Sequence, residues 1–314
     1  MVHVRASRVL AAVVSGLTIA ACGSSSSSSS PSGGPGGRIV AVGAENEYAN
    51  VISQIGGRYV KVSAVMSNPN TDPHTFEASP SVAQTVSQAK IVVQNGAGYD
   101  DFMTKIESAS PSSSRKVIDV QKLLGVPDAA PNPHLWYKPA TMPAVARALV
   151  ADLSALEPAH AAYFRSNERR FNASLQPWLD ALKTFRTRHP GTTVATTEPV
   201  SDYMLQAAGI TDVTPFSMQA DIMNGTDPAP QAVTQQNALL SQRRVMVFVY
   251  NQQVTDTVTQ NFLKAATSAG VPVVGVYETM PTPGYNYQSW MMAELQAIER
   301  AVTDKASTER LGAR

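Results

Sequence analysis

The chain has 314 residues, with 25 Lys and Arg against 24 Asp and Glu, and 43% of its residues are hydrophobic. That even balance excludes a nucleic-acid partner, which would need a basic face. A single cysteine excludes a disulfide framework and a cysteine-based zinc site.

The chain opens with a leader-like pattern. Arg5 and Arg8 form a short positive region, and residues 9–21 are apolar and uncharged. This run is too short to cross a bilayer as a mature helix but suits a secretory signal. It ends in Ile19-Ala20-Ala21-Cys22, which resembles a bacterial lipobox, so residues 1–21 are expected to be cleaved and Cys22 acylated. Cleavage would remove two basic residues and no acid, leaving 23 against 24 and a formal charge of −1. Residues 22–37, rich in Ser, Gly and Pro, read as a flexible tether holding the folded part off the outer face of the membrane.

From Arg38 onward short apolar runs alternate with amphipathic ones. Residues 39–42 read as a buried strand, 48–55 as a helix, 60–65 as a strand, 80–88 as a helix and 91–93 as a strand. A βαβαβ rhythm of this kind argues for a parallel sheet flanked by helices. At Pro158 the pattern changes. Phe164, Phe171, Leu175, Trp178, Leu182 and Phe185 recur at spacings of three, four and seven, predicting one long amphipathic helix that Pro177 should kink or interrupt. His189-Pro190-Gly191 stops it. The alternation then restarts at 193–197, 200–208, 245–249, 255–268 and 272–276, with a last helix from about Asn286 and a polar tail from 303 expected to fray. Met223 to Asp227 reads as a loop with an Asn-Gly turn. The predicted fold is α/β: a first lobe over 38–157, a linking helix over 158–189 and a second lobe over 190–314, with a site in the cleft between lobes.

Chemistry concentrates in the loops. Of four histidines beyond the leader, His74 and His134 lie in loops of similar form, Asp72-Pro73-His74 and Asn132-Pro133-His134. Loops at strand ends are where open α/β sheets bind ligands. His160 and His189 flank the long helix at positions that look exposed, and they are read as structural. Glu198 and Glu278 each follow a predicted buried strand of the second lobe. Two imidazoles and two carboxylates converging between lobes would make a closed, neutralised site for a divalent cation.

The stretch Asp72-Pro73-His74-Thr75-Phe76-Glu77, then Pro80-Ser81, then residues 89–96, resembles the zinc/manganese solute-binding proteins of ABC importers. Asn132-Pro133-His134-Leu135-Trp136 is similar to that family's second ligand loop, with Asn where Asp is usual. The resemblance covers roughly residues 38–305. It implies two α/β lobes bridged by a rigid helix, with the metal held by His74, His134, Glu198 and Glu278, the last standing where Asp is common. It also implies an ABC permease and its ATPase as membrane partners, a monomeric protein, and Zn2+ or Mn2+ (Fe2+ as a further candidate) as transported ligand.

On this reading the ion stabilises the closed arrangement, the helix limits hinge motion, and affinity falls as pH drops through the histidine range. Rival functions are a surface adhesin, a binder of an organic ligand using Trp136, Tyr203 and Phe216, and a metal-dependent hydrolase. No His-Glu-x-x-His, Gly-x-Ser-x-Gly or phosphate-loop pattern supports catalysis, and four protein ligands leave no open position for water.

Overall fold

The computed structural model describes residues 37–70 and 76–312. The leader, Cys22 and nearly all of the tether lie outside the described residues, as does His74. Strand β1 (Ile39–Glu45) opens the fold and is followed by α1 (Asn46–Gly56) and β2 (Val60–Met66). Next come α2 (Pro80–Gln88), β3 (Ile91–Gln94), α3 (Asp101–Ala109), β4 (Lys116–Asp119), α4 (Val120–Leu124) and α5 (Thr141–Leu156). These strands form an all-parallel sheet in the order β2-β1-β3-β4. The four residues of β3, Ile-Val-Val-Gln, are buried throughout, as a parallel strand covered on both faces requires. Gly43 is needed where β1 meets α1, because a Cβ there would lie 2.4 Å from the Ala49 backbone nitrogen.

A short turn at Pro158–His160 leads into α6 (Ala161–Arg188), a helix of 28 residues. It runs through Pro177 without a break, although proline removes one backbone hydrogen bond. Burial of Phe164, Phe171, Leu175, Trp178, Leu182 and Phe185 along one face outweighs that loss. This face joins a single hydrophobic cluster that takes in Ile91 and Val93 of the first sheet and Val247 and Val249 further along the chain.

The second half repeats the first in pattern. It comprises β5 (Thr193–Thr196), α7 (Asp202–Ala207), β6 (Thr211–Asp212), α8 (Phe216–Met223), α9 (Pro230–Ser241), β7 (Val247–Asn251), α10 (Thr257–Ala269), β8 (Val273–Val276) and α11 (Tyr287–Asp304). Its parallel sheet has the order β6-β5-β7-β8, matching the first. In each sheet the chain leaves in opposite directions from two adjacent central strands, which opens a crevice at their C-terminal ends. The fold class is therefore the expected one, two parallel α/β sheets with one long helix between them in sequence.

One local expectation is corrected and one is met. The tail does not fray up to residue 312: Thr308 donates its N–H to the Val273 carbonyl and accepts from Gly275 N–H, while the Gly312 carbonyl accepts from the Tyr285 hydroxyl. An edge strand with unpaired backbone groups captured it despite its polar composition. Asn224-Gly225 ends α8 as well as turning the chain, since Gly225 has φ 66° and Thr226 N–H reaches back to the Asp221 carbonyl.

A buried polar knot ties α11 to the first half. Glu294 accepts hydrogen bonds from Tyr137 Oη and Trp290 Nε1, both at 2.7 Å. Burial pushes its carboxyl from 4.5 up to about 8, against these hydrogen bonds, which pull the other way. The unfolded chain releases this proton near its ordinary value, whereas the folded one holds it to about 8. Stability is therefore greatest below the unfolded value and falls as pH rises between the two. Thermal melts of the metal-free protein should show a lower midpoint at about pH 8.5 than at about pH 5. Glu294→Gln should shrink that difference.

Candidate metal centre

Glu198 follows β5, where Thr197 N–H is anchored to the Val249 carbonyl at 3.1 Å. Glu278 follows β8, and Gln253 Oε1 accepts from its backbone N–H at 2.7 Å. His134 precedes a single turn, Leu135–Tyr137, that is wholly buried. The structure brings these three predicted residues together. His134 Nε2 lies 3.3 Å from Glu278 Oε2, and the Asn251 side-chain amide donates to Glu198 Oε1 at 2.9 Å and to Glu278 Oε1 at 2.7 Å. All three side chains are essentially inaccessible, with exposures of 0–2%. Among the described residues no three His, Cys, Asp or Glu side chains are arranged to hold an ion by themselves. The described residues 67–70 leave the C-terminal end of β2 (Val60–Met66), and His74 lies outside the described residues.

Asn132 prepares the histidine. Its Oδ1 accepts from His134 N–H at 2.9 Å and from Nδ1 at 2.8 Å, while its own amide donates to the Pro199 carbonyl at 2.7 Å. An amide oxygen can only accept, so Nδ1 carries a proton, and Nε2 is the ring nitrogen that faces Glu278. The same residue also bonds the Pro-His loop to the segment after β5. Asn in place of Asp therefore keeps the orienting contact without adding a charge.

Three further residues, absent from the sequence reading, complete the surroundings. Tyr99 donates its hydroxyl to Glu278 Oε2 at 3.0 Å and packs edge-on against His134. Asn251 and Gln253 stand at and just beyond the end of β7. A run of polar residues, Asn251-Gln252-Gln253, immediately after the apolar 247–249 was the available signal. Close by, Glu45, Glu47 and Asp100 form a buried acidic group. Burial, with the neighbouring Asp100 and Glu47, raises Glu45 well above its ordinary value. Burial, with the neighbouring Glu278 and Asp100 carboxylates, lifts Glu47 to about 8, and burial with Asp119 nearby lifts Asp100 to about 7 against the backbone N–H groups of Asn95 and Gly96. Glu47 is therefore mostly protonated at neutral pH, which limits the negative charge gathered around the crevice.

The other sequence candidates lie elsewhere. His160 stacks on Tyr59 with ring centroids 3.8 Å apart, and His189 packs on Phe185 with Glu299 at 3.8 Å. Both are half-buried, not exposed, because aromatic neighbours cover their rings. Trp136 is fully buried against Tyr99 and His134, Phe216 is 44% exposed, and Tyr203 donates to the Asn132 carbonyl. These three do not line one cleft, which removes the observation behind an organic ligand.

The family model of the zinc-uptake complex component A, periplasmic (ZnuA), matches residues 42–301. The chain belongs to this family. The manganese-binding lipoprotein MntA of Bacillus subtilis is 28% identical over 141 residues, which is 43% of this chain and 45% of the relative. A putative metal-binding protein of Thermotoga maritima is 31% identical over 94 residues, 30% of this chain and 33% of the relative. The chain thus aligns with less than half the length of either. Among solved structures, a crystal structure of ZnuA aligns with a TM-score of 0.69 at 19% identity, covering 86% of this chain and all of that one. The Mn-bound periplasmic metal-binding protein of Candidatus Liberibacter asiaticus gives 0.69 at 16% identity over 84% of this chain and all of its own. At such identities the structural likeness shows the fold.

Proposed function

We propose that the chain captures a divalent transition metal, Zn2+ or Mn2+, outside the cytoplasm and passes it to an ABC permease with its ATPase. The observation that carries this is the convergence of His134, Glu198 and Glu278 in one buried crevice, with a protonated Nδ1 turning His134 Nε2 toward Glu278. Relatives described as metal-binding and a family named for zinc uptake support it. His74 supplies the fourth ligand in this reading, Cys22 the lipid anchor, and the divisions 38–157, 158–189 and 190–314 the two lobes and their link.

Each ligand has one task. His134 gives a neutral nitrogen, and Glu198 and Glu278 give the two negative charges that neutralise a divalent cation. The donors come from both sheets, so the ion ties the lobes together and must be released by parting them. A site built of four protein ligands has no vacancy for a reactive water, which favours a carrier over a hydrolase.

Isothermal titration of the soluble chain starting after Cys22 tests the reading: one Zn2+ or Mn2+ per chain is expected, and absence of binding by either would sink it. Asn132→Ala should weaken binding by roughly tenfold to a hundredfold, the usual cost of losing a group that orients a ligating histidine. Competition against a metal chelator reads this directly.

A further inference from the structure

The sequence alone left open whether Glu278, longer than the Asp common at that place, binds through one oxygen or two. The contacts of Asn251 bear on this. Asn251 ends β7 and is 1% exposed. Its backbone N–H donates to Thr197 Oγ1 at 3.0 Å, and its side-chain Oδ1 accepts from the Gln253 N–H at 3.0 Å. With Oδ1 occupied by a donor, Nδ2 must face the two glutamates. An amide nitrogen has two N–H groups, and here each has one acceptor, Glu198 Oε1 at 2.9 Å and Glu278 Oε1 at 2.7 Å.

The same oxygen of each carboxylate is thus drawn toward one neutral amide. Glu278 Oε2 points the other way, lying 3.3 Å from His134 Nε2 and 3.0 Å from the Tyr99 hydroxyl. Gln253 Oε1 adds a restraint on the backbone by accepting from the N–H groups of Glu278 and Thr279 at 2.7 and 2.8 Å. A carboxylate that grips an ion with both oxygens must aim both at it, and these bonds oppose that turn.

We propose that Asn251 is a positioning residue that holds Glu198 and Glu278 to one coordinating oxygen each, so that the site favours a four-coordinate ion such as Zn2+ over Mn2+. This rests on the metal-capture reading above. One oxygen from each glutamate keeps the donor number low, as the four-coordinate sites that zinc takes require, whereas harder ions such as Mn2+ prefer more oxygen donors in an octahedral shell. Removing the amide takes away the bond that holds one oxygen of each carboxylate aside.

The test uses Co2+ as a spectroscopic stand-in, since four-coordinate Co2+ absorbs visible light far more strongly than five- or six-coordinate Co2+. Wild type, Asn251→Ala and the near-isosteric Asn251→Asp are loaded with Co2+, and Zn2+ against Mn2+ competition is measured on the same three proteins. The wild type should give the intense four-coordinate spectrum. Both variants should bind one ion with several-fold weaker absorption, and their Zn:Mn affinity ratio should fall by roughly tenfold or more. Unchanged spectra and ratios in variants that still bind would overturn the role of Asn251, as would a weak spectrum in the wild type. A wild type that binds no metal at all would overturn the metal-capture reading itself, a result distinct from either.

Discussion

Glu278→Ala should lower the affinity for Zn2+ by more than the tenfold to hundredfold that loss of a supporting residue costs. The side chain does three things at once. It is a proposed ligand, it faces His134 Nε2 at 3.3 Å, and it shares the Asn251 amide with Glu198. Truncation removes a negative charge from the crevice, leaves a Tyr99 hydroxyl without this acceptor and frees Asn251 to shift. Titration calorimetry of the variant should show binding too weak to fit under conditions that saturate the wild type. Retention of affinity within threefold (far inside the expected loss) would remove Glu278 from the ligand set.

Trp290→Ala is expected to be among the most destabilising single changes in the chain. The indole is fully buried, packs against Tyr137 and Tyr287 with centroids 5.6 and 6.5 Å away, and donates to Glu294 Oε1 at 2.7 Å. Truncating such a side chain leaves a cavity costing about 3–5 kcal/mol, and the carboxyl loses a partner in a site closed to water. For a unit of this size the melting midpoint should drop by roughly 5–10 °C. Trp290→Phe should recover much of the packing but not the hydrogen bond, so its midpoint should lie between the two. A drop of less than about 3 °C for Trp290→Ala would show that the α11 junction is not part of the cooperative core.

How far the sequence could lead depends on what each element uses to declare itself. The buried strands β1, β3, β7 and β8 are short apolar runs, and α6 shows a regular stripe of large side chains, so both were readable. The segments forming α3 to α5 and β6 to α9 were not placed. Strand β6 is only Thr211 and Asp212, held by pairing with Thr193 and Val194, and no local pattern marks two polar residues as a strand. The tail was misread for a related reason: its order comes from the open edge of β8. At the site, His134, Glu198 and Glu278 could be picked out because their residue types and strand-end positions are informative. Tyr99 could not, and Asn251 showed only as the start of a polar run after a buried strand, since an amide or a phenol gains its meaning when the fold sets it within 3.0 Å of a carboxylate. The acidic group of Glu45, Glu47 and Asp100 was equally hidden, because β1, α1 and the loop before α3 converge only in three dimensions.

The decisive measurement is an anomalous diffraction map of the soluble chain crystallised with Zn2+ and recorded at the zinc edge. A single strong peak is expected in the crevice, within about 2.0–2.2 Å of one atom each from His74, His134, Glu198 and Glu278. A peak bound elsewhere, or one that leaves out both Glu198 and Glu278, would contradict a metal centre shared between the two sheets.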